Sequence, residues 1–211
     1  MMRIDTSPTY YYSNNLGRIL LQAMEEVLGR NGVIAVLKQA KLETRINNYP
    51  KNNSDKKFRF EEVSQIQNAL EASYGIRGGR GLALRVGRVY FKVILREFGN
   101  EVGLSEIASH PYPVDEKVRL TLKRIADLFN QYSDQQVVLS QTETKFVWTV
   151  NRCPYCWRLK ADSSICLQLV GLLQEALYWV SSGRFYSVEE TDCIGKGDEA
   201  CVIVVDQQPM D

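Results

Sequence analysis

The chain has 211 residues, 45% hydrophobic and 24% charged, a composition that builds a sizeable core and argues against extensive disorder. Its 26 Lys and Arg against 25 Asp and Glu leave no basic field for non-specific nucleic-acid binding, so a nucleic-acid partner is not expected. No Pro/Gly/Ser-rich linker divides it, and one domain over residues 1–211 is expected, with 1–135 mainly helical and 136–211 carrying the sheet.

The start, Met1 to Pro8, leads into a Tyr-rich run without the apolar core or small-residue cleavage site of a secretory signal, so a cytoplasmic protein is expected. Asn14 or Asn15 caps a helix in which Leu16, Ile19, Leu20, Ala23, Val27 and Leu28 recur at three-to-four spacing, ending near Gly29. This stripe is a core face or the seam of a homodimer. Val33, Val36, Leu37 and Ala40 give a second short helix, and the polar stretch 47–57 reads as a loop. Phe60, Val63, Ile66, Leu70 and Tyr74 make a third helix. Gly78 to Gly81 read as the tight start of a fourth, through Leu82, Val86, Tyr90, Val93 and Ile94. Arg77, Arg80, Arg85 and Arg88 form a solvated face or a patch for an acidic partner or a carboxylate-bearing ligand. With Arg85, Arg88 and Lys92, the apolar stretch Leu82 to Leu95 is too charged for a transmembrane helix.

A fifth helix follows Pro113 with Val118, Leu122, Ile125 and Phe129, after which the period changes. Val137 to Leu139 and Phe146 to Val150 read as strands, 164–181 as a helix, and Phe185 to Val188 and Ala200 to Val205 as a terminal hairpin. Early helices and late, locally connected strands predict an α+β fold with an antiparallel sheet packed against helices.

Five cysteines without an export signal favour thiolate or metal chemistry over a disulfide framework. Cys193 and Cys201 flank a glycine-containing loop between two strands, an arrangement that offers zinc two ligands, with Glu190 as an oxygen donor. Cys166 is a candidate fourth ligand, and Cys153 and Cys156 compete with it.

At Cys166, Gly171, Gly183, Glu190, Cys193, Gly197 and Cys201 the sequence resembles the 4-vinyl-reductase-like domain family. The resemblance implies a zinc site on Cys166, Glu190, Cys193 and Cys201 beside a hydrophobic-ligand pocket, and a fold like the TRAPP-type trafficking subunits, which dimerise through N-terminal helices. It also implies a chlorophyll or related tetrapyrrole ligand, photosystem or pigment-biosynthesis partners and a place beside a photosynthetic membrane.

Phe146, Trp148, Tyr155, Trp157, Tyr178, Trp179 and Phe185 form either such a pocket or an aromatic core. His110, the single histidine, is an axial-ligand candidate or a solvated loop residue. No nucleotide or flavin fingerprint supplies a hydride source, so the expected function is a non-catalytic binding or carrier protein for a planar hydrophobic molecule. The alternatives are a scaffold acting through its surfaces and a vinyl-reducing enzyme.

Overall fold

In this computed structural model, which describes residues 8–210, the expected periodicities become five helices and six strands. The stretch read for an export signal lies largely outside the described residues. Strand β1 (Tyr11–Ser13) pairs antiparallel with β2 (Lys56–Arg59). The polar segment read as a loop therefore ends in a strand, because Phe58 is fully buried between charged neighbours.

Helix α1 (Asn14–Gln39) is preceded by Ser13 at its N-cap, so Asn14 and Asn15, expected as caps, lie inside its first turn, where Asn15 Oδ1 accepts the Leu16 N–H at 2.9 Å. It breaks at Gly29 (φ 68°), which joins two expected helices into one kinked rod. Helix α2 (Phe60–Phe98) repeats the device at Gly75 (φ 71°). The expectation that Gly78 to Gly81 start a helix is thus corrected: the left-handed residue that turns the chain is Gly75, and the glycine run is helical. The start of α2 is fixed by buried Glu62, which accepts the Arg59 N–H at 3.0 Å and the Arg45 Nε at 2.7 Å.

Helices α3 (Leu104–Ser109) and α4 (Val114–Tyr132) precede β3 (Val137–Gln141) and β4 (Lys145–Val150). Helix α5 (Leu167–Val180), β5 (Tyr186–Asp192) and β6 (Cys201–Pro209) complete an antiparallel sheet of order β3-β4-β6-β5. Alternation on β4 and β6 turns Phe146, Trp148, Val150, Ile203 and Val205 inward. Helix α5 crosses α2 with their backbones almost touching at Gly87 and Gly171. Leu16, Ile19, Leu20 and Ala23 are buried in the chain's own core, so most of the stripe on which the homodimer expectation rested is not a free surface. No helix among the described residues is long and apolar enough to cross a membrane.

The core carries an unusual load of phenols. Burial raises the pKa of Tyr12, Tyr90 and Tyr155, whose neighbouring phenols add to the effect at Tyr12, and a hydrogen bond to Glu101 holds Tyr132 up at about 12. These groups fold neutral with pKa above the ordinary 10.0, so their stabilisation is complete below that pH and is lost as pH rises through the folded values. In an alkaline titration the tyrosinate absorbance of the buried set is expected to rise together with loss of helical circular dichroism. A full tyrosinate signal from a still-folded chain would contradict that packing.

Candidate metal centre

Four elements converge at one end of the sheet and bring all five cysteines together. Cys201 opens β6 opposite Val150, and the chain leaving β4 carries Cys153 and Cys156 back over it. That turn is held by the Arg152 N–H on the Gln135 carbonyl at 2.9 Å. Cys166 is the N-cap of α5, and Cys193 follows β5 at the start of a 3₁₀ turn, Ile194–Lys196. Gly197 (φ 106°) closes this hairpin tip, while Asp198 Oδ2 accepts the Cys193 N–H at 2.8 Å.

The sulfurs are buried and reduced. Sγ to Sγ distances are 3.4 Å for Cys153 and Cys166, 3.4 Å for Cys156 and Cys201, 3.7 Å for Cys166 and Cys201, and 3.9 Å for Cys166 and Cys193. Zinc–sulfur bonds of about 2.3 Å in a tetrahedron place sulfurs about 3.8 Å apart, whereas a disulfide requires about 2.05 Å. The cluster has the spacing of a metal cage. Two ligand sets, each with atoms within 4.8 Å of one another, fit: Cys153, Cys156, Cys166 and Cys201, or Cys166, Glu190, Cys193 and Cys201. They share Cys166 and Cys201.

The surrounding polar groups orient these ligands. Glu190 Oε2 accepts the Cys166 N–H at 2.8 Å, its other oxygen has no partner, and burial pushes its pKa up to about 8, with Cys193 adding. The Ile194 N–H donates to Cys201 Sγ at 3.3 Å. Burial also pushes the Cys153 and Cys166 thiols up. A divalent cation would reverse that cost by drawing out thiolates, releasing protons as it binds.

The aromatic candidates do not share one chamber. Phe146, Trp148 and Tyr155 are buried, the Tyr155 hydroxyl lying 3.4 Å from that of Tyr12. Trp157 packs edge-on to Tyr10 and Phe60, and Trp179 against Phe91. Tyr178 and Phe185 are exposed and line a surface groove of about 290 Å³ with Met210 and Arg88. His110 caps the end of α3 at the surface, its ring stacked 3.8 Å from that of Tyr112. The sequence reading missed Gln67 and Gln168, fully buried and paired at 3.0 Å between α2 and α5. The signal was present, since Gln67 falls on the apolar face marked by Val63, Ile66 and Leu70.

No family model matches the sequence, and no curated protein matches it. The fold has counterparts among solved structures. The Fe(II) unliganded H-NOX protein from K. algicida superposes with a TM-score of 0.58 at 15% identity, over 94% of this chain and 97% of that one. The S. oneidensis H-NOX protein in its Fe(II)NO ligation state gives 0.56 at 12% identity, over 92% and 98%. A structure from work on heme distortion in the H-NOX family gives 0.59 at 14% identity, over 94% and 97%. The likeness is one of fold. It overturns the resemblance to the 4-vinyl-reductase-like family, since these structures are H-NOX proteins and no family model supports that family, and it leaves the trafficking-subunit fold which the resemblance implied without support. The α+β reading, with helices mainly first and strands mainly last, stands.

The fold raises the question of haem, whose iron takes an axial His, Cys, Met or Tyr in an enclosed apolar pocket. Here the single histidine is on the surface, and the cysteines face one another. Tyr12, Phe60, Tyr90, Phe129 and Trp148 fill the interior with no exposure, and the Tyr178 and Phe185 groove is open to solvent. Neither the surface histidine nor the mutually facing cysteines offer haem iron an axial ligand here.

Proposed function

We propose that this chain is a non-catalytic binding domain whose C-terminal half is organised by one zinc ion on Cys153, Cys156, Cys166 and Cys201. The observation that carries this reading is the gathering of four buried sulfurs from three segments within 4.8 Å of one another, an all-thiolate set of the kind zinc takes in structural sites. Four protein ligands close the coordination sphere and leave no position for a substrate, the form of a structural site. The ion ties the loop after β4, the start of α5 and the β5–β6 hairpin into one unit. Glu190 and Cys193 then serve as neighbours that orient Cys166 and the hairpin tip.

Elemental analysis tests the reading and separates the ligand sets. Wild-type protein is expected to carry about one zinc per chain. The Cys153→Ser, Cys156→Ser double variant is expected to lose it, while Cys193→Ser retains it. The reverse pattern would assign the ion to Cys166, Glu190, Cys193 and Cys201, and metal-free wild type would end the proposal.

A bound planar hydrophobic molecule, a tetrapyrrole included, is the second reading, and the fold shared with haem-binding proteins favours it. It requires a ligand that displaces the packed phenols or lies in the Tyr178 and Phe185 groove. Chlorophyll handling and photosystem partners rested on the overturned resemblance and have no other support.

A further inference from the structure

One zinc on Cys153, Cys156, Cys166 and Cys201 leaves two metal-binding groups of the same cluster unused. Cys193 is fully buried, and its Sγ lies 3.9 Å from that of Cys166. Glu190 is 8% exposed, and its Oε1, a buried oxygen, has no hydrogen-bond partner. A buried carboxylate oxygen left in this way costs stability unless a donor or a cation meets it. The two ligand sets also occupy different space. Cys153 and Cys156 complete one and Glu190 and Cys193 the other, and the six groups do not all fall within the 4.8 Å that bounds each set. They divide about a shared pair, Cys166 and Cys201, whose sulfurs are 3.7 Å apart. A thiolate sulfur has lone pairs for two metals, so such a pair can bridge two ions that each keep four ligands.

We propose that Glu190 and Cys193, with Cys166 and Cys201 as bridging thiolates, form a second site for a thiophilic divalent cation, zinc or cadmium, loaded after the first. This inference rests on the zinc reading, because the first ion fixes the bridging pair. The protons that Cys193 and Glu190 give up offset the charge of the added ion. The second site is the weaker of the two, since its bridging sulfurs already donate to the first metal. Purified chain therefore carries one zinc and takes up the second ion only from excess metal. The ligand atoms are buried, as in structural metal sites generally. The ion enters at the hairpin tip, where Ile194, Gly195, Lys196 and Gly197 line an open groove of about 620 Å³. Gly195 sits against the cluster there, since a Cβ on it would lie 3.5 Å from Cys193 Sγ.

Cadmium-113 NMR of the full chain tests this, because cadmium is soft and its resonance reports the ligand atoms. Metal-free chain refolded with one equivalent of cadmium should give a single, all-thiolate resonance. Excess cadmium, followed by removal of unbound metal, should leave two ions per chain and add a second resonance displaced towards oxygen-ligated cadmium. The two signals should split each other through the bridging sulfurs. Cys193→Ser and Glu190→Gln should each lose the second signal and retain the first, with circular dichroism reporting whether each variant is folded. The mutual splitting is read in the wild-type chain and does not depend on the variants folding. One ion per chain at every cadmium excess would overturn the proposal and leave the zinc reading standing, whereas a chain that retains no metal would remove both. Two resonances without mutual splitting, or a second signal that survives in both folded variants, would place the second ion elsewhere and overturn it as well.

Discussion

Cys166→Ser is expected to empty the metal site and lower the melting temperature by at least about 10 °C. Its sulfur belongs to both ligand sets, so no rearrangement among the remaining cysteines restores four ligands of either set. Structural zinc sites bind with an apparent free energy of about 10–16 kcal/mol, comparable with the whole stability of a domain, about 5–15 kcal/mol. Only part of that is lost if the helical half remains folded, yet each kcal/mol shifts the melting temperature of a chain this size by about 2–4 °C. Cys201→Ser should behave alike, whereas Cys193→Ser should retain metal and melt within about 3 °C of wild type. Hydrogen exchange should place the damage in the 153–166 segment and the β5–β6 hairpin, leaving α1 and α4 protected. Full zinc occupancy in purified Cys166→Ser protein would refute the shared-ligand argument.

Gly87→Ala is expected to destabilise by about 3 kcal/mol or more, against the usual sign for such a change in a helix. A Cβ at Gly87 would lie 1.9 Å from the Gln168 carbonyl oxygen, and one at Gly171 would lie 2.1 Å from that of Leu84. Both obstacles are backbone, so the clash is relieved only by moving α5 away from α2 and opening the interface between them. Gly81→Ala supplies the control, because that helical glycine is exposed and a Cβ there meets nothing within 4 Å. It should stabilise by about 0.5–1 kcal/mol through helix propensity alone. Urea denaturation of the two variants reads the difference, and Gly87→Ala at wild-type stability would mean that the α2–α5 crossing is looser than described.

The elements most legible in the sequence were those with long, regular burial. The three-to-four spacing of Val118, Leu122, Ile125 and Phe129 marks α4, and the β-branched run at Phe146 to Val150 marks β4, because each packs one face on the core. β1 and β2 were not legible. They are three and four residues long, and β2 is Lys-Lys-Phe-Arg, whose single buried residue carries no alternation. The break at Gly29 was legible, but that in α2 was misplaced for a different reason: a run of glycines drew the expected turn to Gly78, whereas positive φ falls on the isolated Gly75. Composition does not report which glycine must be left-handed.

The candidate site divides in the same way. Cysteine spacing nominated all five sulfurs, and Cys193 and Cys201 were expected to be neighbours because a hairpin brings its two ends together. The distance from Cys153 and Cys156 to Cys166 and Cys201 depends on how the loop after β4 folds back over the sheet, which no local pattern encodes. The aromatic residues, left between pocket and core by the sequence, divide between core and surface. Trp148 and Phe185 have similar composition signals, yet one is fully buried and the other is 62% exposed, because the first points inward from a central strand and the second precedes an edge strand.

Cobalt substitution tests the central claim most directly. Chain refolded with Co²⁺ should show intense thiolate-to-metal charge transfer and the visible bands of tetrahedral cobalt, at one ion per chain, and zinc should displace them stoichiometrically. Spectra of six-coordinate cobalt without thiolate bands, or no retained metal, would show that the five sulfurs are packed as small apolar side chains and that no metal organises the C-terminal half.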